Sequence, residues 1–235
     1  MKRMFFAAVA ATFTAFTLAV VLCVQALFLP QAVFSGAEEK MRIVIDAGHG
    51  GVDGGVVGKT TGIKESDLNL LIAFALKDAL ADMGFEVTLT RKTQAGLYDT
   101  AAKGFKKRDM QRRKEIIQAS DPSFVLSIHQ NFYPSRTTRG GQVFYKKSDE
   151  NGRLFALALQ TRLNALYAEE NAKARNATAA DFFILGCADV PSALIECGFL
   201  SSEKDEALLC SSVFREKLAG TIAAGVVDFL ENMQA

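Results

Sequence analysis

Short apolar runs alternate with longer amphipathic stretches from residue 41 onward. Short apolar runs are typical of buried strands, whereas apolar residues repeated every three or four positions are typical of helices that pack on one face. Their alternation predicts an α/β fold, a single three-layer domain whose mostly parallel, twisted sheet is flanked by helices. The predicted strands are Met41–Asp46, Phe85–Thr90, Phe124–His129, Gln142–Tyr145, Phe182–Leu185 and Ala193–Cys197.

The clearest helical pattern begins at Asp67 and continues to Met83, with apolar residues at three- and four-residue spacing. Ser66 or Asp67 is the predicted N-cap, because short polar side chains accept hydrogen bonds from the first free amides of a helix, and Gly84 is predicted to end it. Further helices are predicted over residues 108–119, 149–168, 203–210 and 212–231. No internal repeat or long linker interrupts this pattern, so residues 41–235 are expected to form one domain.

A separate apolar run occupies the beginning of the chain, where residues 4–29 carry no charged side chain. The run is longer than the roughly 20 residues that span a bilayer as a helix, which favours an N-terminal apolar helix that anchors the chain in the membrane. Basic residues precede the run and acidic residues follow it, so the positive-inside rule places the N-terminus in the cytoplasm. Small residues at 35–37 leave cleavage as a signal peptide open as the alternative. Either way residues 1–40 are expected to export the domain to the outer face of the membrane or to the cell wall.

The charge balance provides no electrostatic case for a nucleic acid partner. The chain has 27 Lys and Arg against 26 Asp and Glu, and residues 1–40 hold three of the basic and two of the acidic ones, which leaves 24 of each in the domain. A basic cluster over residues 103–114 is interrupted by Asp109, and no RNA-reading aromatic motif accompanies it. Such a pattern is typical of a solvated helix face, so no nucleic acid is expected to bind.

The first predicted strand runs into the glycine-rich segment 46–55. A dinucleotide-binding fingerprint needs glycines at i, i+2 and i+5 followed by a helix, but counted from Gly48 the third position is Asp53 and no helix is predicted before residue 67. A phosphate-binding loop ending at residues 58–60 also fails, because its first glycine would again fall on Asp53 and Gly62 interrupts the helix that should follow. The segment is therefore not predicted to bind a nucleotide.

The chain has two histidines, and each falls where a predicted strand ends: His49 after the first strand and His129 at the end of the third. Ligand sites form at such ends in a parallel α/β sheet. A lone histidine there is more often structural, but that interpretation weakens when both histidines occupy such ends beside small or polar residues. Two imidazoles are half of a zinc site, and His₂Glu is a known catalytic ligand set. Glu65, just ahead of the strongest helix, is the candidate third ligand, with ordinary helix N-terminal electrostatics as the alternative.

Glu196 is the one carboxylate within the apolar strand 193–197. A buried charge is costly unless it is paired or functional, and near zinc a carboxylate can take a proton from water as a general base. Strand alternation puts Cys197 on the opposite face, which argues against a thiol nucleophile at this site. Export would permit a disulfide, but Cys187, Cys197 and Cys210 cannot all pair, and buried free thiols are at least as well supported.

Four motifs in order resemble the zinc-dependent N-acetylmuramoyl-L-alanine amidases. They are DAGHGG at 46–51, KESDLN at 64–69, SIHQN at 127–131 and ALIECGFLS at 193–201. By this resemblance one zinc ion (Zn2+) per chain is held by His49, Glu65 and His129, and Glu196 is the catalytic residue. Arg113, by the same resemblance, and Asn131, by its position two residues past His129, are further candidates for substrate binding.

The resemblance implies that the domain binds peptidoglycan and hydrolyses the amide between N-acetylmuramic acid and L-alanine. The interval between His129 and Glu196 lacks the extra helical insert of division-associated amidases, and no wall-binding repeat follows. This architecture is most like the spore-cortex, germination-specific group, which prepares cortex for muramic lactam formation, and it is compatible with an activating protein partner. Two alternatives stay open: a non-catalytic zinc module that binds peptidoglycan, which would have no need of Glu196, and a peptidase that cuts within the stem peptide.

Overall fold

The computed structural model describes residues 40–234. The predictions made for the N-terminal anchor or signal segment therefore lie outside the described residues. Within 40–234, no helix is both long enough and apolar enough to cross a bilayer. This part of the chain forms an α/β domain in which a sheet of six strands is flanked by five α-helices.

The sheet is mixed and its strands follow the spatial order second, first, third, sixth, fourth, fifth. The strands are β1 (Arg42–Ala47), β2 (Glu86–Leu89), β3 (Phe124–Asn131), β4 (Gln142–Lys146), β5 (Thr178–Ala180) and β6 (Ser192–Phe199). Four of the five strand pairings are parallel, as expected, and the exception is the antiparallel pair of β4 with β6. As a result β1, β3 and β6 are parallel neighbours at the centre, and their carboxyl ends meet at one edge of the sheet.

Helices cover both faces of the sheet, which gives the expected three layers. They are α1 (Glu65–Asp82), α2 (Phe105–Ala119), α3 (Glu150–Glu169), α4 (Glu203–Cys210) and α5 (Ser212–Gln234). On one face α5 contacts both α1 and α3 over a large core that includes Ile45 of β1 and Ile195 of β6. On the other face a smaller cluster joins Val44 and Leu194 to Ile117 of α2. This second face has one α-helix against it, and the strand ends on that side carry polar side chains.

The strongest helix begins two residues earlier than its predicted start at Asp67. Glu65 is its first residue, Lys64 is the N-cap, and no side chain caps it. Backbone contacts set this start, because the Glu65 N–H donates to the carbonyl of Val56 at 2.9 Å. The predicted N-cap, Ser66 or Asp67, is wrong, since both residues lie within the helix. Glu65 is thus the first residue of the helix and does not precede it.

The predicted strand Phe182–Leu185 is wrong. Residues Phe183–Gly186 form a 3₁₀ turn that buries Ile184 and Leu185 against the smaller core. The sixth strand is instead β5, which sequence patterning did not indicate because it is three residues long and mostly exposed. A short apolar run has no periodicity that distinguishes a strand from a turn of helix. The apolar character of residues 182–185 therefore predicted burial but not the type of element.

Candidate metal centre

His49, His129 and Glu196 lie on three neighbouring parallel strands or just beyond them. His49 follows β1 by two residues, His129 is near the end of β3, and Glu196 on β6 is the register partner of His129. In-register residues of adjacent strands point to the same face, so His129 and Glu196 both face the side of the sheet that carries α2. Glu65 reaches this edge from the start of α1.

One carboxylate oxygen joins the two histidines. Glu65 Oε1 lies 3.0 Å from Nδ1 of His129 and 3.3 Å from Nε2 of His49. The two imidazole centroids are 5.0 Å apart in an edge-to-face arrangement, and one donor atom from each of the three side chains lies within 4.8 Å of the others. Two imidazole nitrogens and a carboxylate oxygen are a donor set that zinc accepts, with a position left for water. The three predicted ligands therefore fit a zinc ion.

The Glu65 carboxylate is held by amides of the surrounding chain. The N–H of Val56 donates to its Oε2 at 2.9 Å, and the N–H of Gln130 donates to its Oε1 at 3.1 Å. Asn69, one helical turn later, donates to the carbonyl of Gly48 at 3.1 Å and lies 3.4 Å from Glu65 Oε1. Burial raises the pKa of Glu65, but hydrogen bonds and charges from His129 and His49 outweigh it and hold the pKa well below its usual range. This carboxylate is fixed in place and ionised.

The loop that carries His49 depends on glycine. His49 itself adopts a left-handed backbone with φ of 61°, and Gly51 after it has φ of 64°. A Cβ added to Gly48 would lie 2.3 Å from two atoms of the His129 ring, so the loop passes directly over that imidazole. A non-glycine residue in the left-handed region is strained by about 1–3 kcal/mol and persists where its surroundings impose it. Here the surroundings are hydrogen bonds to the loop carbonyls.

Two buried arginines provide those hydrogen bonds. Arg113 donates to the carbonyls of Ala47 at 2.7 Å and His49 at 2.6 Å, and Arg91 donates to the carbonyls of Ala47 at 2.8 Å and Gly48 at 3.0 Å. Arg113 is 1% exposed. Its remaining contacts are carboxylates, Asp46 and Asp109, each at 2.6 Å. The guanidinium faces the underside of the loop and is buried, and the predicted contact of Arg113 with substrate stays a prediction.

His49 has a carboxylate at each of its ring nitrogens. Nδ1 lies 3.2 Å from Oδ2 of Asp53, and Nε2 faces Glu65. Burial lowers the pKa of His49, but Glu65 and then Asp53 outweigh this by hydrogen bonding and charge, and the pKa is raised overall. The imidazole is thus oriented from both ends.

Glu196 occupies a different environment from Glu65. Its Oε2 is buried and has no hydrogen-bond partner within residues 40–234. Burial raises the pKa of Glu196 to about 7, and the negative charge of Glu65 adds to that effect while His129 opposes it. A carboxyl group with a pKa near neutrality and a free oxygen can both accept and return a proton. This is what the general base predicted at this position requires.

Asn131 lies at the carboxyl end of β3, beyond a register shift that follows His129. Its Oδ1 accepts the N–H of Phe132 at 2.7 Å, and its own carbonyl accepts the N–H of Leu200 at 2.9 Å. The residue is half-buried at the same edge as the metal ligands. Its predicted contact with substrate stays a prediction.

The cysteines take no part in the site. Cys197 is fully buried in the larger core, on the face of β6 away from Glu196, and burial raises its thiol pKa well above the ordinary value. Cys187, Cys197 and Cys210 are free thiols, so within the described residues no disulfide forms among them. Strand alternation predicted the separation of Cys197 from Glu196 correctly.

Residues that were not predicted as site residues complete the centre. Asp46 accepts hydrogen bonds from Thr90, Ser127 and Arg113, which ties the end of β1 to its two neighbouring strands. Asn69 was detectable in principle, because a residue four positions after Glu65 on a helix lies on the same side. Arg91 had no such signal, since it reaches the site through the backbone carbonyls of Ala47, Gly48 and Ser66, which lie more than 20 residues away in sequence.

The chain is similar to known proteins over most of its length. A family model described as N-acetylmuramoyl-L-alanine amidase matches residues 43–228. The germination-specific N-acetylmuramoyl-L-alanine amidase of Bacillus subtilis (strain 168) is 32% identical over 190 residues, which cover 80% of this chain and 78% of that protein. The amidase AmiA of Escherichia coli (strain K12) is 27% identical over 244 residues, covering 85% and 79%.

Solved structures are similar over the same region. The CwlD amidase from Clostridioides difficile, in complex with the GerS lipoprotein, superposes with a TM-score of 0.77 at 32% identity and covers 82% of this chain and 100% of that one. The catalytic domain of CwlV, an amidase from Bacillus (Paenibacillus) polymyxa var. colistinus, has a TM-score of 0.70 at 26% identity, with 81% and 98% covered.

Proposed function

The chain belongs to the N-acetylmuramoyl-L-alanine amidase family, and we propose that it cuts the amide between N-acetylmuramic acid and L-alanine of peptidoglycan with zinc held by His49, Glu65 and His129. The observation that carries this proposal is the convergence of these three donors beside Glu196, a buried glutamate with an unpartnered oxygen. When bound in such a site, zinc acts as a Lewis acid and makes water a stronger acid.

Glu196 is the general base in this proposal. Its Oε2 takes one proton from the attacking water, and the same proton passes to the amine of L-alanine as the C–N bond breaks. The products are the lactyl carboxylate on the sugar and a stem peptide with a free amino terminus. Burial supports the role, because a pKa of about 7 leaves the carboxyl group able to move a proton in either direction near neutral pH.

The bond that is cut can be tested on isolated peptidoglycan. We expect the zinc-loaded chain to release the entire stem peptide and leave an unsubstituted lactyl group on the sugar, as read by mass spectrometry of the digest. A chelator should stop the reaction and added zinc should restore it. Release of shorter peptides, with L-alanine still attached to the sugar, would show that the chain is a stem peptidase and not an amidase.

A non-catalytic zinc module is the other alternative. It would bind peptidoglycan in a pull-down yet release no peptide with zinc bound and natural partners supplied. The buried carboxylate of Glu196, which has an unpartnered oxygen, argues against this alternative. Burying such a group destabilises the fold, and a module that only binds peptidoglycan has no use for it.

The biological setting is a further part of the proposal. We propose that the chain is exported and acts in spore cortex, where loss of the stem peptide precedes formation of muramic lactam. Its similarity to a germination-specific amidase across most of that protein supports this role. A strain lacking the gene should then make cortex without muramic lactam, and normal lactam content would contradict the proposal.

We also propose that the chain acts with an exported protein partner. The support is that the similar C. difficile amidase is a complex with a lipoprotein. Purified chain alone should therefore digest cortex more slowly than chain purified from the native source with its bound proteins. Equal specific activities would remove the partner from the proposal.

A further inference from the structure

Asp53 lies at Nδ1 of His49, whereas the other ring nitrogen, Nε2, faces Glu65. Its Oδ2 is 3.2 Å from Nδ1, while Nε2 of the same ring is 3.3 Å from Oε1 of Glu65. The side chain of Asp53 is 22% exposed, so the contact is partly shielded from water. One imidazole is thus bracketed by two carboxylates that serve different nitrogens.

A tight turn puts Asp53 there. The N–H of Gly50 donates to the carbonyl of Asp53 at 2.8 Å, and the N–H of Asp53 donates back to the carbonyl of Gly50 at 3.2 Å. Gly50 and Gly51 have φ of 140° and 64°, which lets the chain reverse within four residues. From α2, Nζ of Lys106 lies 3.3 Å from the same Oδ2. The position of the carboxylate is therefore set by the backbone of the loop and by a neighbouring helix.

We propose that Asp53 is a positioning residue that keeps the proton of His49 on Nδ1 and so leaves the lone pair of Nε2 directed at the metal position. A neutral imidazole has one N–H donor and one acceptor nitrogen, whereas a carboxylate only accepts. With zinc in place Nε2 cannot carry a proton, and Asp53 then stabilises the tautomer with its proton on Nδ1. Histidines that bind metals commonly donate their other N–H to a carboxylate or carbonyl in this way. The inference rests on the proposed zinc site and is independent of which peptidoglycan bond is cut.

Zinc affinity tests this role without measuring activity. Competition with a chromophoric chelator should show about 10–100-fold weaker zinc binding in Asp53→Ala, the range seen when an outer-shell partner is removed. Asp53→Asn should lose less, because its amide oxygen still accepts the N–H. Asp99→Ala is the matched control, since Asp99 also pairs with an α2 side chain, Arg108 at 3.3 Å, but is not among the contacts of His49. Equal affinity of Asp53→Ala and Asp99→Ala would overturn the inference.

The tautomer can be read directly. The chain has two histidines, so ¹⁵N spectra of the zinc-loaded protein contain two imidazoles, and they are distinguished because His49 directs Nε2 and His129 directs Nδ1 at Glu65 and the metal position. We expect His49 to carry its proton on Nδ1, and this proton should exchange with water more slowly in the unaltered chain and in Asp99→Ala than in Asp53→Ala, which lacks the carboxylate that accepts it. A proton on Nε2 of both rings in the zinc-loaded unaltered chain, or equally fast exchange of the Nδ1 proton in the unaltered chain and in Asp53→Ala, would overturn the proposal. If zinc binds as expected and no stem peptide is released, the proposed function fails while the role of Asp53 stands.

Discussion

Glu65 and Glu196 are glutamates at the same edge of the sheet, but their surroundings drive the pKa values of their carboxyl groups in opposite directions. The Glu65 oxygens accept N–H groups from Val56 and Gln130 and contact two imidazoles, and its pKa lies below the usual range. Glu196 has an oxygen without a partner, and burial raises its pKa to about 7.

In the proposed mechanism, this difference lets one residue type provide two functions in one site. A metal ligand must be ionised and immobile, which hydrogen bonds to the carboxylate ensure. A general base must be able to change its protonation state near the working pH, which burial without partners allows. The neighbours of each glutamate therefore decide its role.

The largest expected effect comes from removing the charge of Glu65. Glu65→Gln should lose its zinc and lower hydrolysis to the uncatalysed level, because a neutral amide oxygen is a much weaker zinc ligand than a carboxylate and removes the negative charge that balances the metal. Metal analysis of the purified variant measures the first effect and muropeptide release the second. Glu150→Gln is the matched control, since Glu150 is also the first residue of a helix but is exposed. Stoichiometric zinc in Glu65→Gln would contradict the ligand assignment.

The second largest effect is expected for Glu196→Gln, which distinguishes the role of Glu196 from that of Glu65. Glu196→Gln should keep its zinc but lose roughly 10²–10⁴-fold in kcat, the usual contribution of a general base. Steady-state release of stem peptide, with bound zinc measured on the same sample, tests this. Hydrolysis at the wild-type rate with zinc present would show that Glu196 is not the base.

A smaller effect should follow from crowding the ligand His129. In Gly48→Ala the added Cβ would lie 2.3 Å from the imidazole, so the ring must move and zinc affinity should fall by roughly tenfold or more. Gly220→Ala in α5 is the control, because no heavy atom lies within 4 Å of the added Cβ. That change should leave zinc binding intact and stabilise the helix by about 0.5–1 kcal/mol. Unchanged zinc affinity in Gly48→Ala would show that the loop moves to accommodate the added Cβ, and it would contradict the predicted displacement of the His129 ring.

The smallest effect concerns stability and pH in the metal-free chain. The folded pKa of Glu196 is about 7 and its ordinary value is 4.5, so the folded state holds this proton more tightly than the unfolded state. Unfolding free energy should therefore fall as pH rises through that window, by on the order of 1–3 kcal/mol. Glu196→Gln does not titrate and should escape this loss. Urea unfolding of both proteins with a chelator, at several pH values, measures it, and a constant difference between them would contradict the raised pKa.

Much of the fold and of the centre was predictable from the chain. Apolar runs predicted β1, β2, β3, β4 and β6. Residue chemistry singled out His49, Glu65, His129 and Glu196, which the fold brings to one edge of the sheet. The predictions failed where local pattern was weak, as in the 3₁₀ turn at Phe183–Gly186. They also did not indicate contacts between residues distant in sequence, such as those of the buried Arg113 with Asp46 and His49.

The sequence by itself determined which elements form and which donors are present, because hydrophobic periodicity is local and two histidines leave few choices of ligand. The tertiary structure alone decided that Glu65 is ionised while Glu196 can hold a proton, that His49 takes a left-handed backbone, and that Asp53 lies at its Nδ1. These properties depend on distances of a few ångströms between separate elements. Hydrogen bonds and burial act over that range, and no sequence spacing encodes it.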